Sequence, residues 1–113
     1  MADCLFCKIA DKEIDSDIVE ESENAVAFRD INPGAPTHLL VIPKQHVASA
    51  AELSRASGDL LGELFELLAS LATREGVDGG YRIVTNVGPD AGQSVQHLHF
   101  HLLGGRSLGW PPG

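Results

Sequence analysis

Three of the five histidines of this 113-residue chain, His97, His99 and His101, alternate with Leu and Phe in one short segment. Successive side chains of a β-strand point to opposite faces, so we predict a strand whose imidazoles share one face. Three protonated imidazoles at this spacing would repel one another, so some are expected to be neutral at neutral pH. A neutral imidazole serves as a nucleophile, a base or a metal ligand, and an exposed His-rich face is the alternative.

The loop before these histidines is rich in glycine. Gly88, Gly92, Gln93 and Ser94 supply free backbone N–H groups, an amide and a hydroxyl. Such a turn can form an anion-binding nest without a basic residue, although an ordinary hairpin connection has the same composition. The sequence contains neither a P-loop nor a strand-linked G-x-G-x-x-G motif, so the usual ATPase and dinucleotide modes are not indicated.

Cys4 and Cys7 form a C-x-x-C motif near the N-terminus. A disulfide scaffold would need more cysteines in a secreted chain, so a metal or redox role is favoured.

The elements that must position these groups can be read from the hydrophobic pattern. Period-two segments predict five strands, at residues 18–20, 25–28, 37–42, 81–87 and 96–103. Leucines from Leu60 to Leu71 follow one helical face, with Ser57 as the N-cap and Gly76 as the stop. A shorter helix is predicted at about residues 47–53. We therefore expect a single α+β domain over residues 1–113, with a five-stranded antiparallel sheet and one long and one short helix.

The composition excludes several classes of partner. Eight basic residues against 16 acidic ones give a net charge of −8, which provides no electrostatic footprint for nucleic acid or an anionic membrane. No apolar run approaches the ~18 residues of a membrane span. Asp3 and Cys4 lie where a signal peptide would be basic, so we expect a cytoplasmic protein.

The pattern of residues 97–103 resembles the motif of the histidine triad (HIT) superfamily. The chain is similar over nearly its whole length to the Hint branch, whose members are nucleotide-binding purine nucleoside phosphoramidases. The similarity is carried by residues 6–9, 28–31, 35–38, 41–44, 92–95 and 110–113.

The resemblance implies a covalent mechanism. His99 would attack the α-phosphorus of a nucleoside phosphoramidate, of the AMP–amine or AMP–lysine type, and water would hydrolyse the nucleotidyl-histidine. Ser94 would assist the leaving amine, and His101 and Gln93 would bind phosphate oxygens. His38 would orient the triad, although a core histidine bonded to a carbonyl is the alternative.

The resemblance also implies a nucleoside site. Asp30 would accept the ribose hydroxyls, and Asn86 would contact the ribose–phosphate side. The purine slot and the remaining loop contacts would be formed by Phe6, Ile14, Phe28 and Ile31, and by Gly92 and Val95. From the residues alone, the apolar four are typical of a core and Asp30 of a turn.

Some HIT proteins carry a structural zinc, which here implies Cys4, Cys7, His46 and His97 as ligands, with no cofactor for catalysis. The alternative is two reduced thiols without metal. Family members are two-fold homodimers, which implies association through the long helix, a sheet edge and the tail with Trp110. A tail folded back on its own domain is the alternative.

Three other functions remain open at this point. The same nucleophile would also serve the hydrolysis of other nucleotide conjugates or dinucleoside polyphosphates. A purine-nucleotide-binding module with negligible turnover and a zinc-dependent enzyme are the other two.

Overall fold

Five antiparallel strands form one sheet in the computed structural model, which describes residues 4–113. The strands are β1 (Ile18–Glu21), β2 (Ala25–Arg29), β3 (Thr37–Pro43), β4 (Tyr81–Val84) and β5 (Phe100–Gly104). Their order across the sheet is β1-β2-β3-β5-β4, so the last strand in the sequence lies between β3 and β4. The predicted five-stranded antiparallel sheet is confirmed.

One long helix covers one face of the sheet. This helix, α2 (Gly58–Arg74), follows Ser57 and is followed by Gly76, whose φ of +74° suits a residue without a side chain. Its buried leucines pack on Ala25, Ala27, Leu39 and Val41. The predicted long helix and both of its ends are confirmed.

The short helix is not where the sequence pattern placed it. Residues 47–53 contain only the 3-10 turn Ala50–Glu52, and a second turn follows at Arg55–Ser57. The short α-helix is α1 (Leu5–Ala10), which packs Phe6 and Ile9 on the other face of the sheet. Six residues are fewer than two helical turns, too few for an apolar period to be visible.

The last two strands are shorter than predicted, because the chain finds other hydrogen-bond partners beside them. The Leu98 N–H donates to the Val47 carbonyl, and the Thr85 hydroxyl donates to the His99 carbonyl. These bonds replace a regular ladder, so β4 ends at Val84 and β5 begins at Phe100.

The alternation of side chains nevertheless continues through residues 97–102. Leu98, Phe100 and Leu102 lie in the core under α2. The histidines between them therefore lie on the opposite face, where Phe6 of α1 contacts His97 and His99 and His38 of β3 contacts His101. Among residues 4–113, no helix is both long and apolar enough to cross a membrane.

Candidate active site and metal centre

A cleft of about 360 Å³ opens on the face that carries the histidines. One part is apolar and contains all four residues predicted as a purine slot, with Asp30 beside them. The other part contains His99, His101, Ser94 and Val95. The residues of the apolar part are Phe6, Ile14, Phe28 and Ile31.

Phe6 joins the two parts of the cleft. Its ring meets Phe28 edge-on at 5.5 Å between centroids, and it meets the imidazole of His99 edge-on at 5.0 Å. Because Phe6 is supplied by α1, that helix both walls the apolar slot and packs against the middle histidine.

His99 is fixed in one tautomer by a backbone carbonyl. Its Nδ1 lies 2.8 Å from the carbonyl oxygen of His97, which can only accept, so Nδ1 carries the proton and donates it. With Nδ1 used in this way, the lone pair that could bond to a substrate lies on Nε2. His99 is buried to 5% exposure yet lines the cleft, so this lone pair is held at a water-poor site.

A chain of hydrogen bonds sets the tautomer of His101. The Gly34 N–H donates to Nδ1 of His38 at 2.9 Å, so His38 carries its proton on Nε2. That Nε2–H lies 2.9 Å from Nδ1 of His101 and 3.4 Å from Oδ2 of Asp30. His101 Nδ1 therefore accepts, and its Nε2 carries a proton that can be donated to a ligand.

Burial keeps the imidazoles of His38 and His101 neutral. It lowers the pKa of His101 to about 4, with the neighbouring rings of His99 and His38 adding to the shift and Asp30 opposing it. Burial likewise lowers the pKa of His38, against the attraction of Asp30. At neutral pH both rings donate or accept hydrogen bonds without carrying charge.

Asp30, His38 and His101 also lie within metal-ligand distance of one another. The Gly34 N–H argues against a metal there, because it occupies Nδ1 of His38 and leaves the proton on the nitrogen that faces the other two ligands. This group is better suited to a hydrogen-bond chain.

A second cluster fits a tetrahedral zinc ion. The sulfur and nitrogen atoms of Cys4, Cys7, His46 and His97 lie 3.2 to 3.5 Å apart in the four pairs that contact one another. Zinc bonds of about 2.3 Å to sulfur and about 2.0 Å to nitrogen separate tetrahedral ligands by about 3.3 to 3.8 Å. The donor set and its spacing therefore match a closed structural site.

The protonation of the cluster is consistent with metal binding. His97 is fully buried and donates Nε2–H to the Pro43 carbonyl at 2.9 Å, so its Nδ1 lone pair faces the thiols. Without a cation, burial raises the pKa of the Cys7 thiol to about 11, with Cys4 adding to the shift. Binding of a metal would therefore release a thiol proton.

Comparison with known proteins identifies this arrangement. A family model described as the HIT domain matches residues 11–108. The chain belongs to the HIT family. It is similar to a HIT family hydrolase from Legionella pneumophila, with a TM-score of 0.96 and 50% identity over 98% of this chain and 100% of that one.

Two further relatives bear on the two sites. The HIT chain is 49% identical to the 14 kDa zinc-binding protein of Zea mays, over 96% of this chain and 87% of that protein. It is also similar to a histidine triad nucleotide-binding protein from Candida albicans, with a TM-score of 0.82 and 34% identity over 96% of this chain and 82% of that one.

Three predicted nucleotide contacts lie outside the lining of the HIT cleft. Asn86 is half-buried after β4, and Gly92 is exposed in the loop with a φ of +90°. Gln93 is buried, and its amide is hydrogen-bonded within the chain. Asn86 precedes the loop and Gly92 and Gln93 belong to it, whereas Ser94 and Val95 line the cleft.

Several groups of the HIT site were missed. Leu5, Ile9, Leu40, Asp15 and Ser16 also line the cleft, as does Arg29, which lies in one of the segments that resemble the family. The Ser16 hydroxyl is buried and has no hydrogen-bond partner among residues 4–113. Arg29 and Glu75 form a two-bond ion pair, at 2.9 and 3.0 Å, which ties the end of β2 to the end of α2. No local pattern marks such long-range pairs.

Proposed function

We propose that this HIT protein hydrolyses the P–N bond of purine nucleoside phosphoramidates through a covalent nucleotidyl-His99 intermediate. One observation carries the proposal: the His97 carbonyl holds the proton of His99 on Nδ1, which leaves the lone pair of Nε2 available in the cleft. A neutral imidazole held in this way is an activated nucleophile that needs no separate base.

The reaction balances with these groups. Nε2 of His99 forms a bond to phosphorus as the P–N bond to the amine breaks, and the amine leaves with a proton. The phosphorylated ring is then cationic, and its Nδ1–H remains bonded to the His97 carbonyl, which stabilises the positive charge. Water next attacks phosphorus, the bond to His99 breaks, one proton of the water is released, and a nucleoside monophosphate departs.

The phosphate is proposed to lie between His101 and the loop. The Nε2–H of His101 is the donor that the chain from Gly34 through His38 leaves free. The hydroxyl of Ser94, on the other side, donates its proton to the leaving amine and takes back the proton that the attacking water releases in the second step. Since burial keeps His101 neutral, it stabilises the transition state through a hydrogen bond rather than a full charge.

The nucleoside is proposed to fill the apolar part of the cleft. The purine would lie between Phe6 and Phe28 on one side and Ile14 and Ile31 on the other. Ile31 is 90% exposed, so a bound base would cover a side chain that water now surrounds. Asp30 would accept the ribose hydroxyls through its carboxylate.

We propose that Cys4, Cys7, His46 and His97 hold a structural zinc ion. The ion would tie α1 to the chain just after β3, at His46, and to the chain just before β5, at His97, and would take no part in the reaction. A chelator should then lower stability before it lowers the activity of folded protein. A zinc-dependent enzyme would instead lose turnover while it stays folded.

A homodimer is proposed through α2, the edge strand β4 and the tail. Phe65 on α2 is 44% exposed, Tyr81 on β4 is 37% exposed, and Trp110 is 83% exposed rather than folded back. Sedimentation equilibrium tests this proposal, since a monomer at micromolar concentration would contradict it.

The function is tested with an adenosine phosphoramidate that carries a fluorogenic amine, using wild type and His99→Ala. Release by the wild type alone would support the proposal. If neither protein releases the amine but both bind AMP, the protein is a nucleotide-binding module. Dinucleoside polyphosphates in parallel test the alternative leaving group.

A further inference from the structure

The side chain of Gln93 is fully engaged inside the protein. Its Nε2 donates to the carbonyls of Ala48 at 2.8 Å and Val95 at 3.1 Å, and its Oε1 accepts the Gly88 N–H at 2.9 Å. The residue is 7% exposed. Both amide protons of the side chain are therefore used before any ligand arrives.

The orientation of this amide admits no alternative. Two of its three partners are carbonyls, which only accept, and the third is a backbone N–H, which only donates. Exchange of the amide oxygen and nitrogen would create three repulsive contacts in a buried place. The arrangement fixes the side chain of Gln93 against rotation toward the cleft.

The three bonds join separate parts of the chain. Gly88 begins the loop, Val95 ends it, and Ala48 belongs to the segment that also carries His46 and Val47. The same segment accepts the Leu98 N–H at the Val47 carbonyl, just before His99. Gln93 thus ties both ends of the loop to residues 46–48, the segment whose Val47 carbonyl holds the backbone next to His99.

Two backbone N–H groups at the end of this loop have no hydrogen-bond partner among residues 4–113. The N–H groups of Ala91, Gly92 and Gln93 donate to carbonyls within the loop. Those of Ser94 and Val95 donate to no group in residues 4–113, although both residues line the cleft. Successive free N–H groups of this kind form an anion-binding concavity.

We infer that Gln93 is a positioning residue: its side chain does not bind the phosphate but shapes the loop so that the N–H groups of Ser94 and Val95 and the Ser94 hydroxyl face the phosphate. This inference rests on the proposed function for the identity of the ligand. It revises the direct phosphate contact that the sequence resemblance implies for Gln93.

The first test uses wild-type protein and AMP in an NMR titration. The side-chain NH₂ resonances of Gln93 are expected to be protected from solvent exchange already in the free protein. On addition of AMP they should shift less than the backbone amides of Ser94 and Val95. A larger shift of the Gln93 NH₂ pair would overturn the inference. If no amide of the cleft responds, the proposed function fails instead.

The second test replaces Gln93 by Met, which has a similar volume and no hydrogen bonds. Both measurements are made well below the melting temperature of the variant. Loss of the three bonds should accelerate hydrogen exchange of the Gly88 amide and lower kcat by about tenfold or more. Gln45→Met, at an exposed glutamine, is the matched control and should change neither. A lower kcat with unchanged exchange of the loop amides would contradict positioning and favour a direct contact.

Discussion

His97 serves two neighbours at once: its ring faces the thiols of Cys4 and Cys7, and its backbone carbonyl accepts the Nδ1–H of His99 at 2.8 Å. The atom that fixes the tautomer of the proposed nucleophile therefore belongs to a residue anchored by the cluster. The two sites therefore meet at His97 but use different atoms of it.

Replacement of Cys7 by Ser should remove the metal and destabilise the protein. Since binding free energy of a structural zinc adds to folding free energy, we expect the melting temperature to fall by at least about 4 °C. Turnover of the protein that stays folded should be largely retained, because neither cysteine lines the cleft. Metal analysis, thermal unfolding and kinetics check this expectation. Stoichiometric zinc with an unchanged melting temperature would contradict it.

His38→Ala should impair catalysis through His101. The substitution removes the donor to Nδ1 of His101, so the proton of that ring is no longer held on Nε2. We expect kcat/KM to fall by about 10- to 100-fold, within the range of a single hydrogen-bonding group in an active site. An unchanged kcat/KM would show that the hydrogen bond between the rings is dispensable.

Stability should rise with pH between about pH 4 and pH 6.5. The folded-state pKa of His101 is about 4 and that of His38 is lowered, so the unfolded chain binds more protons than the folded one in this range. The stabilisation is present above pH 6.5 and is lost as the pH falls toward 4. Denaturant unfolding at a series of pH values measures it. For His38→Ala the slope should be smaller than for the wild type, and an equal slope would exclude His38 as a source.

Ser16→Ala should stabilise the protein by about 1 kcal/mol. A buried hydroxyl without a partner costs about 1–3 kcal/mol, and the substitution removes it while leaving little empty space. Thermal unfolding compares this variant with Ser107→Ala, at an exposed position. A lower melting temperature for Ser16→Ala would show that the hydroxyl has a favourable contact.

The sequence predicts those parts of the molecule that depend on side-chain patterns. The shared face of the three histidines follows from alternation, and the four residues that the family resemblance implies as zinc ligands do lie together. The direction of Gln93 and the tautomers of the histidines were not predictable. They depend on backbone carbonyls, such as those of Ala48, Pro43 and His97, and any residue type supplies a carbonyl.

The same limit explains the two errors in the elements. The helix α1 is too short to show a period. Its apolar residues Phe6 and Ile9 are buried by contacts with the sheet, which a local sequence pattern does not show. The strands β4 and β5 were predicted too long because apolar alternation continues where the backbone has already left the ladder. Tertiary partners decide both cases.

The position of β5 inside the sheet, although it is the last strand in the sequence, has a consequence for the order in which the molecule is assembled. His38 and His101 lie 63 positions apart, and the strand that carries His101 must insert between β3 and β4. A nascent chain that has not yet extended past β5 can pair β1, β2 and β3 but has no triad. Ligand binding therefore begins only after β5 has been synthesised, and closure of this long-range sheet is expected to be the slow event of folding.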